Sequence, residues 1–499
     1  MKKVSLYALI GLFAFCSCAC GGKDPVPSTE PDPKPEEPAE VYDATLWTTT
    51  FDLTRNFEKS GVAFGKAATM SPNAVRFTDE TFQTVDGFGL AITQASCYNL
   101  LKMSQEDRTK LLTELFSTTA GAGSSLIRVC IGGSDFSMDE YTWCDKEGMA
   151  NFAIHESEFQ YLFPILDEIY KINPNVQIIG SPWSCPRWMK MDVQGNGNPF
   201  NSWTSGRLNP KYYADYADYF VKWIQEMQKR GYKVLGVTLQ NEPLNHGNSM
   251  SLYMPWEDQR DFLKVIGPAF EKAGLKTQIM LFDHNYNYDN VASQRSYPLN
   301  IYADAAAAKY AAGSAWHNYG GSVSELDKIH QAAPEKGIWF TEASIGTWNY
   351  GKGFGAQFQE DFREIVMGTL KRYGKGVTLW NMMLDNEGKP YRPGGCSTCY
   401  GAVSIDPSSF ALKTVDRKSH WYDVIHPSVV IKPGAVRIGT TGRTAANVTY
   451  LAFRNPDNSY GVLFLNEGSN PEQFVFATDA HSVPITVPAK SVVSATWKD

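Results

Sequence analysis

Two glutamates stand in the chain as Gln240-Asn241-Glu242-Pro243 and Thr341-Glu342-Ala343-Ser344, each directly after a short apolar run, Val234–Leu239 and Gly337–Phe340. A pair of carboxyl groups brought to one pocket is the apparatus of glycosidic-bond hydrolysis: one protonates the departing oxygen, the other attacks the anomeric carbon or activates water. Either glutamate alone reads as a solvated loop residue or a helix cap. Two at equivalent places, one with an asparagine directly before it, point to chemistry. Further polar groups end similar runs. Arg128 is a charge inside Ser125–Ile131, and a buried cation needs an anionic partner. Asp135 follows in Gly132-Gly133-Ser134-Asp135-Phe136, Trp183 lies in Ser181-Pro182-Trp183-Ser184, His317 and Tyr319 in Trp316-His317-Asn318-Tyr319, and Trp380-Asn381 closes another run. Tryptophan faces suit the C–H faces of a sugar and Asp or Asn its hydroxyls, although each tryptophan taken singly reads as core.

The elements that must position these groups are legible from periodicity. Thr84–Leu90, Ser125–Ile131, Val176–Ser181, Val234–Leu239, Thr277–Phe282, Gly313–His317, Gly337–Phe340 and Gly376–Trp380 are short and nearly continuously apolar, as parallel strands buried on both faces are. Helical periodicity fills the gaps at Ser104–Leu115, Glu158–Ile169, Pro210–Lys229, Trp256–Ala273, Leu299–Ala312, Val323–Ala332 and Ala356–Arg372. Strand–helix alternation repeated eight times predicts a (β/α)8 TIM barrel, an α/β fold whose site lies at the C-terminal ends of the strands. A doubly wound open sheet gives the same alternation, but no G-x-G-x-x-G follows an early strand. Beyond Val429 the runs become short, β-rich and broken by Asn, Asp, Gly and Pro, and Thr45–Phe77 has the same texture. Both chain ends are therefore expected to form one antiparallel β-sandwich. The expected organisation is a leader over 1–20, a linker over 21–42, a sandwich from 43–82 and 427–499, and a catalytic barrel over 83–426.

The whole chain has 499 residues, 43% hydrophobic and 20% charged, proportions that exclude a disordered or fibrous protein. Its formal charge of -7 argues against nucleic acid as a partner, because phosphate binding needs a basic footprint. The start, Met1-Lys2-Lys3 followed by apolar Val4 to Phe15, reads as an export signal, too short to remain as a membrane span. Small residues before Cys18, or before Cys20, resemble a bacterial lipoprotein cleavage box. Lys23 to Glu40 holds six prolines and six acidic residues, the composition of an extended spacer. The expectation is an exported monomer held at the bacterial outer membrane by a lipid on Cys18 or Cys20, outside the cell.

In order along the chain, Val85-Asp86-Gly87-Phe88-Gly89, Arg128-Val129-x-Ile131-Gly132-Gly133-Ser134-Asp135-Phe136, Ser181-Pro182-Trp183-Ser184, Gln240-Asn241-Glu242-Pro243, His317-Asn318-Tyr319, Thr341-Glu342-Ala343 and Trp380-Asn381 resemble glycoside hydrolase family 30, which holds glucosylceramidases and endo-β-1,6-glucanases. The resemblance implies a TIM barrel fused to a β-sandwich built from both chain ends. It implies Glu242 as acid/base, Glu342 as nucleophile, and Asn241 against the sugar 2-hydroxyl. It implies Asp135, Trp183, Trp380 and Asn381 around the non-reducing sugar, Tyr319 and Arg128 beside the nucleophile, and His317 lining the site. The stretch Leu90-Ala91-Ile92-Thr93-Gln94 departs from the family, where Gly at the first position and an acidic residue at the last are common.

The expected reaction is a retaining double displacement, with the carboxyl groups about 5–5.5 Å apart. Glu342 is expected ionised beside Arg128, and Glu242 protonated because the neighbouring charge raises its pKa. No cofactor or metal is expected. Cys396-Ser397-Thr398-Cys399 lacks the second pair or the histidines of a zinc site and reads as a small disulfide stiffening a loop at the barrel mouth. Similar Gly-Gly-Cys-x-x-Cys loops occur in family members acting on β-1,6-glucan. That glucan is the first expected substrate, with glucosylceramide and xylan as alternatives. A non-catalytic glycan-binding lipoprotein is the contrasting class, and it would not need both glutamates.

Overall fold

The computed structural model describes residues 42–66 and 72–498. The leader, the linker and the lipidation candidates Cys18 and Cys20 lie outside the described residues. Eight parallel strands form the central sheet: β1 (Gly87–Leu90), β2 (Leu126–Cys130), β3 (Gln177–Ser181), β4 (Lys233–Thr238), β5 (Gln278–Asn285), β6 (Gly313–His317), β7 (Gly337–Glu342) and β8 (Gly374–Leu379). Each of β2 to β7 pairs with the next strand in sequence, and β8 returns to pair with β1. The remaining seam between β1 and β2 is closed by bonds from Ile92 N to Arg128 O at 2.9 Å and Ser125 N to Phe88 O at 3.2 Å. That seam is tight: a Cβ on Gly89 would stand 1.6 Å from Leu126 O. The expected barrel is therefore present, with the open sheet excluded.

Strand residues alternate between two environments, as the period of two requires. Leu126, Ile179, Met280, Ala315 and Trp339 form an apolar layer inside the barrel. Two residues further along β2, β3, β6 and β7 stand Arg128, Ser181, His317 and Thr341, all buried. The interior is thus greasy at mid-height and polar towards the C-terminal rim. The helices close the outside. Ser104 caps Gln105–Phe116 by accepting from Asp107 N at 3.1 Å, an arrangement worth about 1 kcal/mol. The helix expected over Leu299–Ala312 is broken into Tyr297–Tyr302 and Ala305–Ala308, because the Asp304 side chain accepts from Ala306 N and caps a new start.

Both chain ends build a ten-stranded sheet, as expected. Ala44–Thr50 pairs antiparallel with Ser491–Lys498, and Ala74–Thr84 lies between Val436–Gly442 and Glu472–Ala477. Register shifts in the Val436–Gly442 pairing bend the sheet, and Leu46, Val462 and Val493 share one core with Phe474, Phe476 and Ile485. The strand His481–Val487 carries a proline and a histidine and was not apparent from periodicity. Helix Ser419–Val430 is buried almost throughout. Its His426 takes part in 2.8 Å hydrogen bonds with Ser494 and Thr49, one on each ring nitrogen, and so locks the sheet to the helical layer. Among the described residues no helix is long and apolar enough to cross a membrane.

Candidate active site

The polar rim converges on Arg128, whose side chain is wholly buried. Its guanidinium donates to Ser181 Oγ (3.1 Å), Asn241 Oδ1 (2.7 Å), Asp283 Oδ2 (2.8 Å) and Glu342 Oε2. It also lies 5.0 Å from the Trp183 ring and 5.6 Å from that of Trp380. A cation on an interior strand position thus gathers residues from four strands, and its charge is balanced by two carboxylates. Tyr319 donates its hydroxyl to the other oxygen of Glu342 at 3.0 Å. Glu242 sits where the chain leaves β4, with left-handed φ of 44°, and accepts from Asn245 Nδ2 at 2.7 Å.

Asp283 is the residue that sequence reading missed. The run assigned to β5 ended at Phe282, and a strict period of two would have pointed Asp283 away from the barrel. The strand is bulged between Phe282 and His284, with φ of 70° at Phe282 and 72° at Asp283. The bulge sends Phe282 into the helix-side core and Asp283 into the interior. There its carboxylate accepts four bonds: from Arg128, Thr238 Oγ1 (2.6 Å), Thr341 Oγ1 (2.6 Å) and His317 Nε2 (2.9 Å). Burial works against this charge, but Arg128 and then His317 hold the Asp283 carboxyl far below the usual carboxylate range. The available signal was Asp283-His284 directly after an apolar run, the same pattern as at Glu242.

The two glutamates face each other across His317. Its Nδ1 is 3.4 Å from Glu242 Oε1 and 4.0 Å from Glu342 Oε1. His284, also missed, brings its Nδ1 to 3.7 Å from Glu242 Oε1, while its Nε2 meets Asp289 at 2.9 Å. Glu242, His284 and His317 thus place ligand-type atoms within 4.8 Å of one another, and each histidine Nε2 is held by a carboxylate. With Nε2–H held by Asp283 and Asp289, two Nδ1 atoms face one carboxylate oxygen, an arrangement that a shared proton satisfies. This corrects the expected protonation. Burial opposes a charged His317, yet Glu342 and Asp283 raise its pKa to about 9. Burial also opposes an ionised Glu242, but the His317 contact, the neighbouring histidines and the Asn245 bond hold it below its ordinary value. Burial raises Glu342, with His317 and Arg128 pulling the other way. These directions favour a charged His317 beside an ionised Glu242 over the protonated Glu242 that was expected.

Around this centre lie the residues expected to meet a sugar. Among the described residues Asp135 Oδ1 and Asn381 Nδ2 are buried without a partner, an acceptor and a donor available to hydroxyls. Asn381 Oδ1 is held by Thr93 Oγ1 at 2.8 Å. Burial, then Glu342 and Glu242, push Asp135 up to about 8. Trp183 and Trp380 are each 3% exposed and stack on one another with centroids 4.9 Å apart. Their faces are used on each other and on Arg128, so they wall the site rather than offering open platforms. The exposed large aromatics nearby are Tyr319 and Trp348, which line a cleft of about 500 Å3 with Ser344. A separate cavity of about 1140 Å3 lies at the opposite end of the barrel, beside Gln177, Lys233 and Gln278 at the strand starts, far from this chemistry.

Cys396 and Cys399 form a disulfide, and its loop presses on Asp135. Arg392 N donates to Asp135 O at 2.9 Å, and a Cβ on Gly395 would stand 2.8 Å from the same oxygen. Cys97, Cys130, Cys144 and Cys185 are buried free thiols. In the departing stretch after β1, Gln94 bonds Tyr141 Oη (2.6 Å) and Met138 N (2.9 Å), so it supports the Asp135 loop by hydrogen bonds without a charge.

The sequence profile of the glycosyl hydrolase family 30 TIM-barrel domain matches residues 85–424, and that of the family 30 beta sandwich domain matches 434–495. The endo-1,6-beta-D-glucanase BGN16.3 of Trichoderma harzianum is 32% identical over 411 residues, 78% of each chain. The lysosomal acid glucosylceramidase of Mus musculus is 26% identical over 437 residues, 84% of this chain and 82% of its own. Among solved structures, the endo-beta1,6-glucanase BT3312 superposes with a TM-score of 0.89 at 50% identity, covering 92% of this chain and all of that one. Barrel, sandwich and paired glutamates agree with these matches: the chain belongs to glycoside hydrolase family 30, and is an O-glycosyl hydrolase.

Proposed function

We propose that this enzyme is an endo-β-1,6-glucanase acting by retaining double displacement. The observation that carries the substrate is the 50% identity, over the full length of the solved chain, with an endo-beta1,6-glucanase. Glucosylceramidase relatives such as the mouse enzyme match at lower identity. Glu342, held between Arg128 and Tyr319, attacks the anomeric carbon. Glu242, taking the proton it shares with His317 at 3.4 Å, delivers it to the departing glucosyl oxygen. Water then attacks the glucosyl–Glu342 ester, and Glu242 returns the water's proton to His317. Asn241, anchored by Arg128, meets the 2-hydroxyl of the sugar. The hydroxyls of the non-reducing unit pair with Asp135 and Asn381, which lack other partners at Oδ1 and Nδ2.

The test is digestion of pustulan, laminarin, xylan and glucosylceramide, with products resolved by size. Oligosaccharides from pustulan alone are expected. Release of glucose as the sole product would replace endo with exo action, and turnover confined to xylan or glucosylceramide would refute the linkage. The leader supports a second element of this reading, lipid anchoring outside the cell through Cys18 or Cys20. Mass spectrometry of the mature N-terminus is expected to find a diacylglyceryl cysteine that is lost on substituting the correct residue. A soluble, unmodified mature chain would refute it.

A further inference from the structure

Behind the catalytic rim, two helices bring together charged and polar groups that neither the reaction nor the packing uses. Helix Phe354–Asp361 follows β7, the strand of Glu342, and ends in Asp361. Helix Ser419–Val430 presents His420 and Asp423, three residues apart and on one face. One ligand-type atom from each of Asp361, His420 and Asp423 lies within 4.8 Å of the others, and all three residues are at least nine-tenths buried. Asp361 is satisfied in part: it accepts from Gln357 Nε2 at 2.8 Å and Ser419 Oγ at 3.2 Å. The rest of the cluster is not. Among the described residues, both oxygens of Asp423, both ring nitrogens of His420 and Gln357 Oε1 have no hydrogen-bond partner, and His420 Nε2 stands 3.6 Å from Asp361 Oδ2. Among the described residues no lysine or arginine pairs with either carboxylate. Five unpartnered, buried polar atoms around two carboxyl groups call for a cation.

We propose that Asp361, His420 and Asp423 bind a divalent transition-metal ion of the zinc class, with Gln357 Oε1 beside them as a further oxygen donor. The donor chemistry selects the ion. Calcium and magnesium take oxygen ligands, whereas an imidazole with two carboxylates suits zinc and its neighbours. Ligand distances of about 2.0–2.2 Å for zinc require only a small inward movement of the three groups. An approach exists, because the cleft of about 500 Å3 beside Tyr319 and Trp348 has Gln357, Glu360 and Asp361 in its wall. The ion's role is structural: it ties the helix behind the nucleophile strand to the helix whose His426 is bonded to the β-sandwich at Thr49 and Ser494. It touches none of the reacting groups, and it does not depend on which glycan is cleaved.

The test uses the full chain, tag-free and purified without chelator. Elemental analysis is expected to find one equivalent of zinc-class metal. Dialysis against dipicolinate should remove it and lower the melting temperature, and zinc, but not calcium or magnesium, should restore both. D423N and the double variant H420Q/D423N should lose the metal while turning over substrate normally below their own melting temperatures. If those variants do not fold, the chelator and add-back series on the wild type decides alone. A wild-type protein that is metal-free, takes up no added zinc and melts identically with and without chelator would overturn the proposal. So would zinc retained undiminished in the double variant.

Discussion

Asp283→Asn isolates the part of the site that proton sharing requires. The substitution keeps shape and volume but replaces one carboxylate oxygen by an NH2 group. All four neighbours of Asp283 are donors: Arg128 and Thr238 on Oδ2, His317 and Thr341 on Oδ1. Arginine cannot become an acceptor and the threonine hydroxyls can rotate, so the amide nitrogen turns towards His317 Nε2. That imidazole must then accept at Nε2 and carry its proton fixed on Nδ1, facing Glu242. Glu242 is left as a permanent hydrogen-bond acceptor and cannot be reprotonated. Losing general acid catalysis costs about 10²–10⁴ in rate, equivalent to about 2.7–5.4 kcal/mol of barrier. The loss should depend on the leaving group. With β-1,6-linked glucose oligosaccharides, kcat/KM is expected to fall by that factor. With 2,4-dinitrophenyl β-glucoside, whose phenolate departs unprotonated, it should fall far less. Steady-state kinetics on both substrates, with a melting curve to verify folding, provide the assay. Equal losses on the two substrates would refute the proton-sharing argument and reduce Asp283 to a structural anchor for Arg128.

Glu342→Gln should lower turnover of aryl β-glucosides by about 10³-fold or more, measured by product release; wild-type rates in that variant would end the nucleophile assignment. Arg128→Leu takes the guanidinium away from two buried carboxylates, Asp283 and Glu342, so the folded state should lose about 3–5 kcal/mol by denaturant titration. His317 has its folded pKa raised from 6.5 to about 9, so its contribution to stability is complete below pH 6.5 and is lost as pH rises through about 9; melting temperatures across pH 6–10 should show this fall, and His317→Asn should flatten it. Cys396→Ser with Cys399→Ser opens only a four-residue loop, which contributes little to global stability, but frees the loop resting on Asp135; KM should rise several-fold with little change in melting temperature.

How much of this was legible beforehand follows from what each residue depends on. The eight strands read clearly because barrel strands are covered on both faces, so hydrophobicity alone marks them. Glu242, Glu342, Asp135 and Asn381 were found because strand ends in a barrel are the site, wherever the sheet places them. The Cys396–Cys399 bridge was readable because its partners are three residues apart. Trp183 and Trp380 were identified as site residues, but their burial against each other was not, since ring orientation depends on neighbours distant in sequence.

By itself, the sequence determined the barrel, the union of both chain ends in one sheet, and the two carboxylates at opposite strand mouths, all of which rest on local periodicity and order along the chain. Tertiary structure alone decided where the proton goes. That depends on the bulge at Phe282–His284, which reverses the inward and outward alternation and turns Asp283 into the barrel. There Asp283, Arg128, His284 and His317 meet from three strands in a medium of low polarity, and their mutual interactions, which no spacing encodes, bias the protonation of Glu242.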